Sequence, residues 1–132
     1  MAAEGRAALI TGPSGAGKSS FALQLIALGA ALVSDDGVVL RRRDTTLFAS
    51  APAAIRGLIE ARGVGLLRTQ AVDAAQVAVV IDLAVVETER LPPPRTKGLL
   101  GLQVPLLHKV ESAHFPAAVI LYLRAGHTHD VR

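Results

Sequence analysis

The sequence predicts an α/β fold built around a mixed central sheet, and three observations carry that expectation. A short apolar run, AALIT at 7–11, is halted by Gly12 and Pro13. A mostly apolar segment, KSSFALQLIAL at 18–28, is followed by Gly29. A third run, rich in Val and Ile, spans 76–86. The first reads as a buried strand feeding a loop, the second as a helix with a C-terminal glycine cap, and the third as a strand covered on both faces. With 132 residues, 51% of them hydrophobic, the chain is long enough for one core and short for two. Residues 1–126 are therefore expected to form a single domain, with 127–132 as a loose tail.

The remaining elements follow in order. AALVS at 30–34 reads as a second strand and VVLRRR at 38–43 as a third, with Asp35, Asp36 and Gly37 as the tight connection between them. APAAIRGLIEARGVGLL at 51–67 has Pro52 where a first helical turn tolerates it and stops at Gly63 and Gly65, so a helix is predicted. PPPRTKG at 92–98 is a proline-rich loop expected to order around a ligand. GLQVPLLHKV at 101–110 and AAVILYLRA at 117–125 supply two more strand or helix segments.

Composition excludes several function classes. Lys plus Arg against Asp plus Glu is 7 against 5 over residues 1–66 and 7 against 6 over 67–132, so neither half is a basic arm for nucleic acid. Aromatic residues make up 3% and offer little for base stacking. The absence of cysteine removes disulfides, thiolate metal sites and cysteine nucleophiles, and fits a reducing cytoplasm. The opening MAAEGRAALITG lacks a secretory pattern, and the longest apolar runs fall short of the roughly 20 residues of a bilayer span. A cytoplasmic protein with neither nucleic-acid nor membrane partners is expected. The four histidines, His108, His114, His127 and His129, lack metal-ligand spacing and read as surface or tail residues. Arg41, Arg42 and Arg43 read as a solvated strand end or a dock for an acidic partner.

The chemistry lies in GPSGAGKS at 12–19, which matches G-x-x-x-x-G-K-[ST] through Gly12, Gly17, Lys18 and Ser19 between a predicted strand and a predicted helix. The stretch from Gly12 through Pro13, Ser14, Gly15, Ala16 and Gly17 to Lys18, Ser19 and Ser20 is expected to bind nucleoside triphosphate, ATP first. Backbone N–H groups would surround the phosphates, Lys18 would reach the terminal ones, and the Ser19 hydroxyl would ligate Mg²⁺. In such a site the metal needs an acidic handle, usually an Asp at the carboxyl end of a strand beside the loop strand. Asp35 and Asp36, after the first strand beyond the P-loop helix, suit that place, although Asp-Asp-Gly is also a good hairpin turn. Two adjacent carboxylates near phosphate raise one pKa by mutual repulsion and so provide a general base for a hydroxyl.

At this point the sequence resembles the C-terminal catalytic domain of HPr kinase/phosphorylase, the enzyme that phosphorylates a serine of the phosphocarrier protein HPr and can remove that phosphate. The resemblance is carried by ALITGPSGAGKSSFALQLIALGAALVSDDGVVL at 8–40 and by LIEARGVGLL at 58–67, which is similar to a Glu-x-Arg-Gly-x-Gly signature. It is dense over 9–67 and thin beyond, where ERLPPPR and LQVPLL are similar to later family segments. It implies a mixed sheet like that of phosphoenolpyruvate carboxykinase. It also implies that Ser19 and Glu60 hold Mg²⁺, that Asp35 is the acid/base supported by Asp36, and that Arg90 serves phosphorolysis, with Arg95 or Lys97 as alternatives. The implied partner is an HPr-like protein in a phosphotransferase system, and the implied assembly is a homo-oligomer, often of six subunits.

The chain departs from the longer family members. It is expected to lack their N-terminal domain, MAAEGRA stands before the loop strand, and ESAHFPA at 111–117 replaces a Gly-Arg-Asn stretch, which favours the kinase reaction over its reverse. The competing readings are a small-molecule kinase with the same loop and an ATP-binding sensor without catalysis. A kinase needs Asp35 and a sensor does not.

Overall fold

The computed structural model describes residues 1–35 and 37–125; Asp36 and residues 126–132, with the expected tail and His127 and His129, lie outside the described residues. Its elements are β1 (Ala2–Ala3), β2 (Arg6–Thr11), α1 (Lys18–Ala27), β3 (Val39–Arg43), β4 (Thr46–Ser50), a 3₁₀ turn at Ala53–Ile55, β5 (Leu58–Ala61), β6 (Gly65–Arg68), β7 (Ala74–Val86), β8 (Thr96–Leu99), β9 (Leu102–Lys109) and α2 (Phe115–Ala125). The expected mixed sheet is present. β2 runs parallel to β7, β7 parallel to β9, and β4 lies antiparallel to the start of β7 with β3 outside it. The carboxyl ends of β2, β7 and β9 therefore share one edge, the edge where open α/β sheets bind ligands.

β7 is the central strand and explains why its residues alternate poorly. Its pairing with β2 shifts between Ala7–Val77 and Ala8–Val79, so Ala78 is an extra residue in the ladder. A one-residue bulge reverses the facing of everything beyond it. Val77 and Val80 accordingly share one face, with Ala7, Leu47, Ala49 and Val104. Val79, Ile81 and Leu83 pack on the other, against Phe21, Ala22 and Leu25 of α1 and Phe115, Val119 and Leu123 of α2. The two helices meet through Phe21 and Phe115, whose rings stack with centroids 5.1 Å apart. α1 ends as predicted: Gly29 takes φ +102°, its N–H donates to Ile26 O and Ala30 N–H donates to Leu25 O, the paired bonds of a Schellman cap.

Three expectations are corrected. Residues 30–34 form no regular strand; they cross the sheet end through single bridges, Ala31 to Ala2 and Leu32 to Ala71. The strand at 38–43 exists, but its hairpin partner is β4, across a turn where Asp44 adopts φ +55°. Most consequentially, 51–67 is not a helix. After the short 3₁₀ turn, β5 and β6 make a separate two-stranded antiparallel sheet pairing Ile59 with Leu67 and Glu60 with Leu66. Glycines at 57, 63 and 65, all at positive φ, break any helix across this stretch. Within the proline-rich stretch Thr96–Leu99 pairs with β9 as β8, and Arg95 is bonded to Glu87. Among the described residues no helix is long and apolar enough to cross a membrane.

Candidate active site

β2 delivers its last residue, Thr11, opposite Asp82 of β7 and passes directly into the glycine-rich loop. Gly12 is required there. Its φ is +146°, and a Cβ would lie 3.2 Å from Ala16 Cβ and 3.5 Å from Leu83 Cβ, so β7 forms the floor of the loop. Gly17, in the left-handed conformation with φ 91° and ψ 22°, is the N-cap of α1. Lys18 Nζ donates to Gly12 O at 2.6 Å, arching over the loop. The helix start, the left-handed glycines and this cation are the parts from which helix N-terminal anion sites are built.

Asp35 reaches this loop from the side. It does not end a strand neighbouring β2, as expected from sequence. The parallel neighbour is β7, whose Asp82 uses its carboxylate locally to accept the Ala84 N–H at 2.9 Å. Asp35 instead sits in a turn closed by Ser34 Oγ donating to Gly37 O. One carboxylate oxygen accepts Ser19 Oγ at 3.2 Å and the other accepts the backbone N–H of Glu60 at 2.9 Å. A turn thus carries the Asp35 carboxylate to Ser19 of the glycine-rich loop.

Glu60 lies exposed on β5 rather than on a helix face. A cavity of about 620 Å³ is lined by Ser14, Gly15, Ser19 and Ser20 on one side and by Glu60 and Arg62 on the other, with Lys18 in its wall. A second, of about 300 Å³, is lined by Thr11, Gly12, Lys18 and Asp35 above an apolar floor that includes Leu9 and Val77. Lys18 stands between the two. The donors that converge here, a hydroxyl and carboxylates, are oxygens, the set a hard divalent cation such as Mg²⁺ takes.

Arg90 is not on either cavity. It lies past the end of β7, exposed, lining a separate cavity of about 680 Å³ with Glu87, Glu89, His108, His114, Phe115 and Tyr122. Glu87 and Arg95 form an ion pair at 3.1 Å that sequence reasoning missed. Glu87 also accepts the backbone N–H groups of Thr88 and Glu89. The Arg95 hydrogen bond is the chief cause holding the Glu87 carboxyl below its ordinary value, against the opposing effect of burial. A glutamate and an arginine flanking Leu91 and three prolines was the available sequence signal. Lys97, the other alternative, is exposed on β8. His114 is exposed, whereas His108 is partly buried with its Nδ1 at 3.9 Å from Glu87.

The chain is similar to known proteins in both sequence and fold. Residues 2–90 match the model of the HPr serine kinase C-terminal domain. An HPr kinase/phosphorylase from Acidovorax sp. is 39% identical over 114 residues, covering 76% of this chain and 36% of that protein. One from Listeria welshimeri is 50% identical over 64 residues, 48% of this chain and 20% of that one. The chain thus spans little more than a third, or less, of these relatives. The solved structure of the Hpr(Ser) kinase/phosphatase from Coxiella burnetii superposes with a TM-score of 0.72 at 28% identity, covering 89% of this chain and 85% of the other. A matching domain model over two thirds of its residues and a shared mixed-sheet fold place the chain in the HPr serine kinase C-terminal domain family.

Proposed function

We propose that this protein is an ATP-dependent kinase that phosphorylates a serine of HPr or an HPr-like phosphocarrier in the cytoplasm. The observation that carries the reading is the pair of hydrogen bonds Asp35 accepts, from Ser19 Oγ of the P-loop on one oxygen and from the backbone N–H of Glu60 on the other. It puts one carboxylate between the phosphate loop and the 58–67 signature.

In the proposed reaction the residues from Gly12 to Ser20 hold the triphosphate, and Lys18 turns from Gly12 O to the terminal phosphates. Ser19 and Glu60 would hold Mg²⁺, which supplies neutralisation of phosphate charge. Asp35 accepts the proton of the substrate serine hydroxyl as that oxygen bonds to the γ-phosphorus. The bond from phosphorus to the bridging oxygen breaks and ADP leaves. Asp35 retains lone pairs beyond its two hydrogen bonds, so it can accept that proton. Asp36 is assigned a supporting charge.

In the reverse direction, inorganic phosphate attacks the phosphoserine phosphorus, the serine oxygen leaves with the proton held by Asp35, and pyrophosphate forms. Arg90 is assigned to that direction, because it is exposed at the same carboxyl edge and makes no hydrogen bond or ion pair among the described residues. A homo-oligomer fits the exposed apolar residues Val64 (75%) and Leu66 (66%) on the β5–β6 hairpin.

The test is incubation with γ-labelled ATP and purified HPr. Acid-stable label on a serine is expected. Label that stays in ATP, or passes only to small metabolites, would overturn the reading.

A further inference from the structure

The most connected polar group outside the P-loop is Glu87. Its side chain is only 8% exposed, and it accepts from Arg95 Nε at 3.4 Å, Arg95 Nη2 at 3.1 Å, Thr88 N at 3.0 Å and Glu89 N at 3.2 Å. Arg95 Nη2 also lies 3.5 Å from Glu89 Oε2. Both ends of this arrangement are tied to β9, since Glu87 N donates to Lys109 O and Leu106 N donates to Arg95 O. The residues between, TERLPPP, are thereby closed into a loop whose neck is an ion pair and whose prolines restrict the span. Arg90 is the cation that this loop leaves uncommitted. A nearly buried carboxylate kept charged costs desolvation, so its placement signals a demand for a fixed geometry.

We propose that Glu87 and Arg95 form a clasp that sets the loop presenting Arg90, which makes Arg95 a positioning residue rather than a phosphate-binding cation in its own right. The inference rests on the assignment of Arg90 to the reverse, phosphate-dependent reaction. Arg95 spends its donors on Glu87 and Glu89 and is 28% exposed, which leaves it poorly placed to meet an incoming phosphate. The planar fork of arginine suits the two-point contact, and a lysine there would keep the charge while losing the second bond.

The test uses the full chain with HPr and ATP in the forward direction, and with phosphoserine-HPr and inorganic phosphate in reverse, for R90A, R95Q, R95K, E87Q and R90A/R95Q. R90A is expected to slow phosphate-dependent removal about tenfold or more, since misplaced groups cost on that scale. R95Q and E87Q are expected to match it, R95K to fall between, and the double variant to be no worse than R90A alone. The loss should fall on kcat and on KM for phosphate, with the melting shift produced by MgATP unchanged. R95Q at parental rate beside an impaired R90A overturns the clasp alone. Losses that multiply in the double variant show Arg95 acting on its own and also overturn it. R90A at parental rate in the reverse direction removes the assignment of Arg90 and the clasp with it, while the kinase reading stands. If R95Q and E87Q both fail to fold, the pair is only structural and the proposal falls.

Discussion

The glycine loop and the β5–β6 hairpin face each other across the candidate site but are anchored very differently. The loop is set between β2, buried between β1 and β7, and α1, whose Phe21, Ala22 and Leu25 lie in the core. The hairpin is a two-stranded sheet of its own that contributes Ile59 and Ala61 to buried positions and leaves Val64, Leu66 and Leu67 exposed. Two-stranded sheets are marginal unless packed on something larger. The phosphate side is thus preformed by the main fold. The side carrying Glu60 is held by one buried isoleucine, a small alanine and the bond from Glu60 N to Asp35, and low local stability is where adaptable binding segments are found.

Substitutions at Lys18 break the rigid side most completely. Lys18→Ala is expected to abolish the rise in melting temperature produced by MgATP, because the cation that now bonds Gly12 O is the one available to the terminal phosphates. An unchanged thermal shift would remove the nucleotide assignment. Asp35→Asn tests the bridge between the two sides. The amide oxygen can still accept one hydrogen bond, so folding and MgATP affinity should stay near parental. Phosphoryl transfer should fall by about 10²-fold or more, the scale of general-base catalysis. A folded Asp35→Asn protein with parental activity would leave this residue a turn former. Glu60→Gln lies on the adaptable side and should leave nucleotide binding intact while weakening Mg²⁺ dependence by roughly tenfold, as an amide is a poorer ligand for a hard cation. A metal titration matching the parent's would make Glu60 an ordinary exposed strand residue.

The contrast also explains what the sequence disclosed. The P-loop was legible because every requirement is local: a strand, glycines at fixed offsets, a lysine and a helix. Asp35 was found for a partly mistaken reason. Its spacing was read as a strand end beside β2, whereas that neighbour is β7, from a point far along the chain, and Asp35 arrives on a turn. The hairpin was misread because apolar residues at 55, 58, 59 and 61 suit a helical face as well as a short strand, and tertiary packing of Ile59 decided between them. β4 was missed although Leu47 and Ala49 alternate inward, since three preceding arginines masked the hairpin. The Glu87–Arg95 pair closes across three prolines, and its only local signal was a glutamate and an arginine on either side of them.

The smallest effects should separate two of the ties between the hairpin and the main sheet. Ile59, 1% exposed, sits in the cluster with Leu25, Leu32 and Val79, and truncating a buried isoleucine to alanine costs about 2–5 kcal/mol through lost burial and the cavity left behind. Arg56, just before β5, pairs with Asp73, just before β7, but the two side chains are 51% and 83% exposed. Water screens such a pair, and its contribution is expected to be under about 1 kcal/mol. Asp73→Asn should therefore barely move the denaturant midpoint, while Ile59→Ala lowers it clearly and also loosens Mg²⁺ dependence through Glu60, its neighbour on β5. If Asp73→Asn proved as costly as Ile59→Ala in matched urea titrations, the hairpin would be held from its base by charge, and its adaptable character would have to be sought beyond Gly63 at the turn.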